Sequence, residues 1–237
     1  MPPEFPLRPG AAALAAALAR GAAACGDDAP VDPDGGPVTC TTPAAQRYLP
    51  LAVGRSWTYD TSRPGEPVVV KTNTVEVLED VGDRKAGITA YRIRTGKSGG
   101  QGDVVSWQED LCASIVRHRE QNFDPADTLL TDQFFVPGKL RVDETAAHTA
   151  MGATWTTAYT EVEVDPILGT KTVSKEETWT VEAAAEEVTV PAGTFTALKV
   201  RKVTSGNADK LYWFAPGVGK VREEGEQLEV LTAFVVP

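Results

Sequence analysis

The chain has 237 residues, 24% of them charged, and a net charge of −10. That acidic balance, without any cluster of lysine or arginine, excludes a nucleic-acid partner, because a phosphate backbone demands concentrated positive charge. It also excludes simple electrostatic adhesion to anionic lipid, so contact with a membrane has to be made by other means.

At the N-terminus a single cation, Arg8, precedes the apolar run Ala11 to Ala19, and the small residues Ala22-Ala23-Ala24 stand immediately before Cys25. This is the layout of a signal peptide over residues 1–24. The run falls well short of the roughly 20 apolar residues that a spanning helix needs, and Arg20 interrupts it. The expectation is that Cys25 becomes the lipidated first residue of the mature protein and that an acyl anchor supplies the membrane contact. Ala22-x-Ala24 also suits an ordinary signal peptidase, which leaves plain secretion as the alternative.

Residues 25–47 are rich in Gly, Pro, Asp and Thr and poor in large apolar side chains. Such a segment cannot bury enough surface to order itself, and its prolines keep it extended, so it reads as a flexible tether. Asp32-Pro33-Asp34-Gly35 lacks both the alternating oxygen ligands and the closing glutamate of a calcium loop. Gly26 stands where an aspartate would signal retention at the inner membrane, so the outer membrane is the expected destination.

Three cysteines are an odd number for an exported chain until one is assigned to lipid. Cys40 and Cys112 then form an even pair, and a disulfide between them is expected in an oxidising compartment.

From Tyr48 to the end, strand-forming residues alternate with polar ones, as in Tyr91-Arg92-Ile93-Arg94 and Leu198-Lys199-Val200-Arg201. That period of two predicts half-buried antiparallel strands. Short helices are expected only at Asp124–Leu130 and Asp143–Met151. Pro191 and Gly193 predict a tight hairpin, Pro216 and Gly217 a type II turn, and Gly96 to Gly102 a longer hairpin loop.

Four groups of anchors recur in order. Gly54 and Trp57 answer to Gly152 and Trp155, and Thr89 to Arg94 answers to Thr196 to Arg201. Asp103 and Trp107 answer to Asp209 and Trp213, while Leu130 to Pro137 answers to Leu231 to Pro237. The reading is two tandem repeats of about 85 residues, 53–137 and 151–237, within one body spanning 48–237. Because a long open sheet leaves edges prone to aggregation, the expected fold is all-β: antiparallel meander sheets forming a curled, incomplete barrel or a two-sheet body.

Chemical motifs are scarce. Gly96-Lys97-Ser98-Gly99-Gly100 matches a nucleophile elbow in letters but sits between strands, where that elbow needs a helix to follow. His118 and His148 are the only histidines and lack ligand spacing, so no metal or cofactor is expected. His118, between Arg117 and Arg119, reads as a solvated or half-buried strand residue. The pairs Glu176-Glu177, Glu186-Glu187 and Glu223-Glu224 read as solvated surface, and the five tryptophans as core.

Gly54 to Tyr59, Val190 to Phe195 and Tyr212 to Val221 resemble segments of uncharacterised envelope lipoproteins of high-GC bacteria. The curled antiparallel sheet is also similar to that of the LolA/LolB-like lipoprotein carriers. The latter resemblance implies an apolar cavity for acyl chains. The function expected from the sequence is therefore a membrane-anchored binding or interaction module for an apolar ligand or an envelope protein. An envelope hydrolase with a dispersed active site is the alternative, and catalytic residues cannot be named for it.

Overall fold

Twelve antiparallel strands follow one another around a closed barrel. In the computed structural model, which describes residues 40–237, they are β1 (Ser56–Ser62), β2 (Val69–Asp80), β3 (Thr89–Lys97), β4 (Val104–Asp110), β5 (Ser114–Phe123) and β6 (Leu129–Asp143). The second half comprises β7 (Thr154–Asp165), β8 (Gly169–Val190), β9 (Gly193–Thr204), β10 (Lys210–Ala215), β11 (Gly219–Glu224) and β12 (Leu228–Val235). The expected signal peptide, Cys25 and the expected tether up to residue 39 lie outside the described residues.

The expectation of an incomplete barrel or two sheets is corrected at one seam. β1 pairs with β12 from Ser56↔Val235 to Ser62↔Leu228, so the first and last strands satisfy each other and no edge remains. The helical expectation for Asp124–Leu130 is also corrected. Asp124 Oδ1 accepts from the amides of Ala126 and Thr128, an Asx-type turn that leads directly into β6. Of Asp143–Met151 only one turn, α1 (Ala146–Thr149), is helical. A closed barrel with no longer helix among the described residues is not the helix-covered open sheet of the LolA/LolB-like carriers.

Hairpins at one end join β1 to β2, β3 to β4 and so on to β11 and β12; the other hairpins lie at the opposite end, together with both ends of the described chain. That second end is plugged. Residues 47–51, assigned partly to the tether from sequence, enter the body here. Arg47 is only 3% exposed and pairs with Asp110 and Glu144, Leu49 N donates to Glu144 Oε1, and Gly217 N donates to Arg47 O. The Cys40–Cys112 disulfide, with Cα atoms 5.1 Å apart, fixes the same segment to the loop between β4 and β5.

Glycine is required where the start of β11 lies against β1. A Cβ on Gly219, which has φ +119°, would lie 2.7 Å from the Trp57 indole nitrogen, itself held by donation to Val218 O at 2.6 Å. In β6, Pro137 falls where the ladder to β5 is interrupted, since Arg117 pairs with Lys139 and Arg119 with Phe134, leaving His118 opposite a bulge.

The outer wall is wet and ion-paired. Glu76 accepts from Arg92 and Arg94, and Arg94 from its other side meets Asp103 at 3.0 Å. Glu182 likewise meets Lys199 and Arg201, and Arg201 meets Asp209 at 3.3 Å. Half-exposed ion pairs on outward positions are incompatible with an apolar lipid-facing belt, so this wall faces water and not acyl chains.

Contacts in the two halves of the barrel match. Gly54 and Gly152 both take positive φ and donate to Val75 O and Val181 O, and those two valines return bonds to Arg55 O and Ala153 O. Trp107 Nε1 donates to Glu79 at 3.0 Å, and Trp213 Nε1 donates to Glu186 at 2.9 Å. The anchors noted in the sequence fall in or directly beside β1 and β7, β3 and β9, β4 and β10, and β6 and β12.

Candidate ligand site in the barrel lumen

Around eight strands make a barrel that its own side chains fill; twelve leave space. Here the space is a cavity of about 500 Å³. The alternation of each strand decides what lines it. Trp57, Tyr59 and Thr61 of β1 face it, as do Val69, Lys71 and Asn73 of β2 and Ile93, Thr95 and Lys97 of β3. The floor is apolar, made by Leu49 and Leu51 of the plug with Trp57 and Phe214. The mouth is formed by Arg63, Glu66, Gln101 and Gln227 beside the hairpins of the unplugged end.

Between floor and mouth the wall is charged, which corrects the expectation of an apolar cavity. On one side Lys220 Nζ contacts Glu223 and, at 2.7 Å, Glu229. Glu229 also contacts Lys71, and Glu223 meets Lys210 at 3.2 Å. Burial opposes the charge of Lys220, but the two carboxylates outweigh it and hold the ammonium well above its ordinary range. Both glutamates are held below the usual carboxylate range, against their own burial, chiefly by Lys220. Burial and the neighbouring Lys220 charge together bring Lys71 down to about 8 despite its contact with Glu229.

Across the lumen, Arg117 pairs with Glu120, and Lys202 pairs with Glu177 at 3.0 Å. Tyr159 donates to the same Glu177 oxygen. Lys139 lies over the rings of Phe135 and Tyr159, at 5.1 and 5.4 Å from their centres. Burial, then the charges of Arg117 and Lys202, bring its ammonium down to about 8.

Two sequence expectations are corrected by these contacts. Glu177 and Glu223 are 1% and 7% exposed, and thus are not solvated surface. His118, with Nε2 2.7 Å from Glu109, is buried, more deeply than the solvated or half-buried strand residue expected. His148 bonds Asp143 and stacks on Trp155 with ring centres 4.1 Å apart. Neither histidine lines the lumen. Trp57, Trp107, Trp179 and Trp213 are buried as expected, whereas Trp155 is only partly so. Cys40, Asp110 and Cys112 lie close together, but the sulfurs are spent in the disulfide and Asp110 is engaged by Arg47, so the trio offers a metal little.

No family model matches the chain, and no curated protein matches it in sequence. Two solved structures are similar. One is a candidate exported protein with a YmcC-like fold from Bacteroides fragilis, with 12% identity and a TM-score of 0.47. The other is a candidate lipoprotein from Parabacteroides distasonis, with 14% identity and a TM-score of 0.43. Each similarity covers 79% of this chain and 98% of the other. At that level neither carries a functional argument.

Proposed function

We propose that this protein is a membrane-anchored envelope lipoprotein whose barrel binds a small polar molecule in its lumen. The observation that carries the binding reading is the charged cavity of about 500 Å³, enclosed by a complete barrel and opening at one end. That volume is in the range of small-molecule sites. The polar wall favours a hydrophilic ligand over an acyl chain. The anchor rests on Cys25 and its flanks, and the disulfide-linked cysteines agree with an oxidising compartment. With the tether entering at the plugged end, the mouth lies at the opposite end from the chain segment that leads to the anchor. The matched contacts of the two halves support a tandem duplication, six strands to a unit.

The binding test is native mass spectrometry of the detergent-solubilised protein before and after exposure to a polar extract of cell envelopes. A retained small molecule is expected. It should be absent when Thr95→Trp and Asn122→Trp together obstruct the lumen; retention of nothing by the unaltered protein overturns the reading. For the anchor, a fatty-acid analogue should label the wild type and not Cys25→Ser, and equal labelling refutes it.

A further inference from the structure

The charges of the lumen do not balance. Nine of its lining residues are lysine or arginine and four are glutamate, in a chain whose net charge is −10. Glu177 behind Lys202 adds one further carboxylate. Every one of these carboxylates is already engaged: Glu66 by Arg63, Glu120 by Arg117, Glu177 by Lys202, and Glu223 and Glu229 by Lys220 with Lys210 and Lys71. Among the described residues, Lys139 and Arg141 make no ion pair and no side-chain hydrogen bond. Arg141 Nε and Arg117 Nε are both buried without an acceptor.

These groups lie together. Arg117 and Arg141 each act on the charge of Lys139, and Arg141 acts on that of Arg117, while Glu120, already bonded to Arg117, is the one carboxylate that faces all three and leaves a net positive cluster. The strand register explains how: Arg117 of β5 pairs with Lys139 of β6, and Arg141 follows two residues later beside the register shift at Ile115/Val116. Mutual repulsion between buried cations is unfavourable to folding, and unpaired guanidinium nitrogens in an enclosed site forgo their hydrogen bonds. A site that retains such a cost is one where a bound anion can repay it.

Resting on the reading of the lumen as a ligand site, we infer that Arg117, Lys139 and Arg141 receive the oxyanion group of a small organic anion, a phosphate or a carboxylate. Guanidinium suits both groups because its planar fork donates in parallel to two oxygens. Lys139 adds a compact charge with further donors. The opposite side of the lumen, where Lys220 is saturated by two glutamates, presents carboxylate oxygens together with Asn73 and Thr95, which suits the hydroxyl groups of the same molecule. The ligand class is thus an acidic, hydroxylated molecule of the size of a sugar phosphate or a sugar acid.

The test measures calorimetric binding to the detergent-solubilised protein at constant ionic strength, with inorganic phosphate, glucose 6-phosphate, glucuronate and glucose as probes. At least one of the three anions is expected to bind and neutral glucose to bind far more weakly; the tighter of the phosphate and carboxylate probes identifies the oxyanion. Lys139→Met with Arg141→Gln should weaken anion binding by at least about tenfold, as removal of partners from a buried charge site does. Exposed Lys171→Gln should leave it unchanged, and circular dichroism should show all variants folded. If the double variant does not fold, Lys139→Gln alone serves, with the same direction expected.

Anion binding that is equal in wild type and variant but lost in Thr95→Trp/Asn122→Trp overturns the subsite and leaves the lumen as the binding site. Anion binding that survives the obstruction overturns both. If no anion binds, the inference fails while the lumen reading is judged by its retained ligand in the mass spectrometer.

Discussion

Lys220 of β11 bonds Glu229 of β12 at 2.7 Å inside the barrel wall, and both side chains are nearly inaccessible to water. Glu223 touches the same ammonium because the bulge at Val221 brings residues 220 and 223 to one face of β11. Replacing Lys220 by Met therefore leaves two buried carboxylates without their main counter-charge, a change that costs about 3–5 kcal/mol when a buried pair is broken from one side. The denaturant midpoint at pH 7 should fall accordingly. Lowering the pH should narrow the gap between variant and wild type. Both glutamates are held below their unfolded range in the wild type, so their contribution is present above that range and is lost as pH falls.

The plug should be as sensitive as the lumen. Burial pushes the Glu144 carboxyl up, and Arg47 offsets that effect while bonding Asp110 through its other nitrogens. Arg47→Met should destabilise by about 3 kcal/mol, and Glu144→Gln by less, because the amide can still accept from Leu49 N. Urea denaturation followed by tryptophan fluorescence reads both.

Cys40 and Cys112 enclose a segment with a sequence separation of 72. In the chain-entropy account a bridge of that span stabilises by about 4 kcal/mol. The paired Ala variant should lose stability of that order, and intact-mass analysis should show the unreduced protein lighter than the reduced one by two hydrogens. Two thiols that alkylate freely in the native protein would reject the bridge.

Lys139 predicts an unusual alkaline trend. Its folded pKa, lowered to about 8 by burial and by Arg117 and Lys202, lies below that of an unfolded lysine. Between the two values the unfolded chain binds more protons than the native one, so stability rises with pH there. Glu177, Glu120 and Arg141 also face this ammonium, and the two carboxylates limit the effect. Stability is expected to increase by about 1–2 kcal/mol from pH 7.5 to 9.5. Lys71, also brought down to about 8, adds a parallel rise, so Lys139→Met should remove roughly half of the slope; an unchanged slope sinks the assignment.

Much of the wall was legible in the sequence and its closure was not. The alternation at Tyr91 to Arg94, the hairpin at Pro191 to Gly193 and the turn at Pro216 and Gly217 all stand where local chemistry puts them, because each depends on neighbours a few residues away. The seam between Ser56 and Val235 depends on strands at opposite ends of the body, and nothing local encodes it. The lumen escaped for a different reason. A polar face on a strand is ordinarily the face toward solvent, so Glu177 and Glu223 read as surface. A wide barrel has a second wet face. The signal available was charge on both parities of one strand, as in Lys199, Arg201 and Lys202, or Arg222, Glu223 and Glu224. Arg47 was missed because a tether and a plug share the same Gly- and Pro-rich approach and differ only in their partners, which lie far along the chain.

The seam also sets when this protein can become itself. Because Ser56 pairs with Val235, the final ladder forms only after almost the whole chain is present, and contacts of such sequence separation form slowly. A chain in which β12 has not yet docked keeps two open edges and no enclosed lumen. The enclosed lumen is thus a late product of folding, complete only when β12 has found β1.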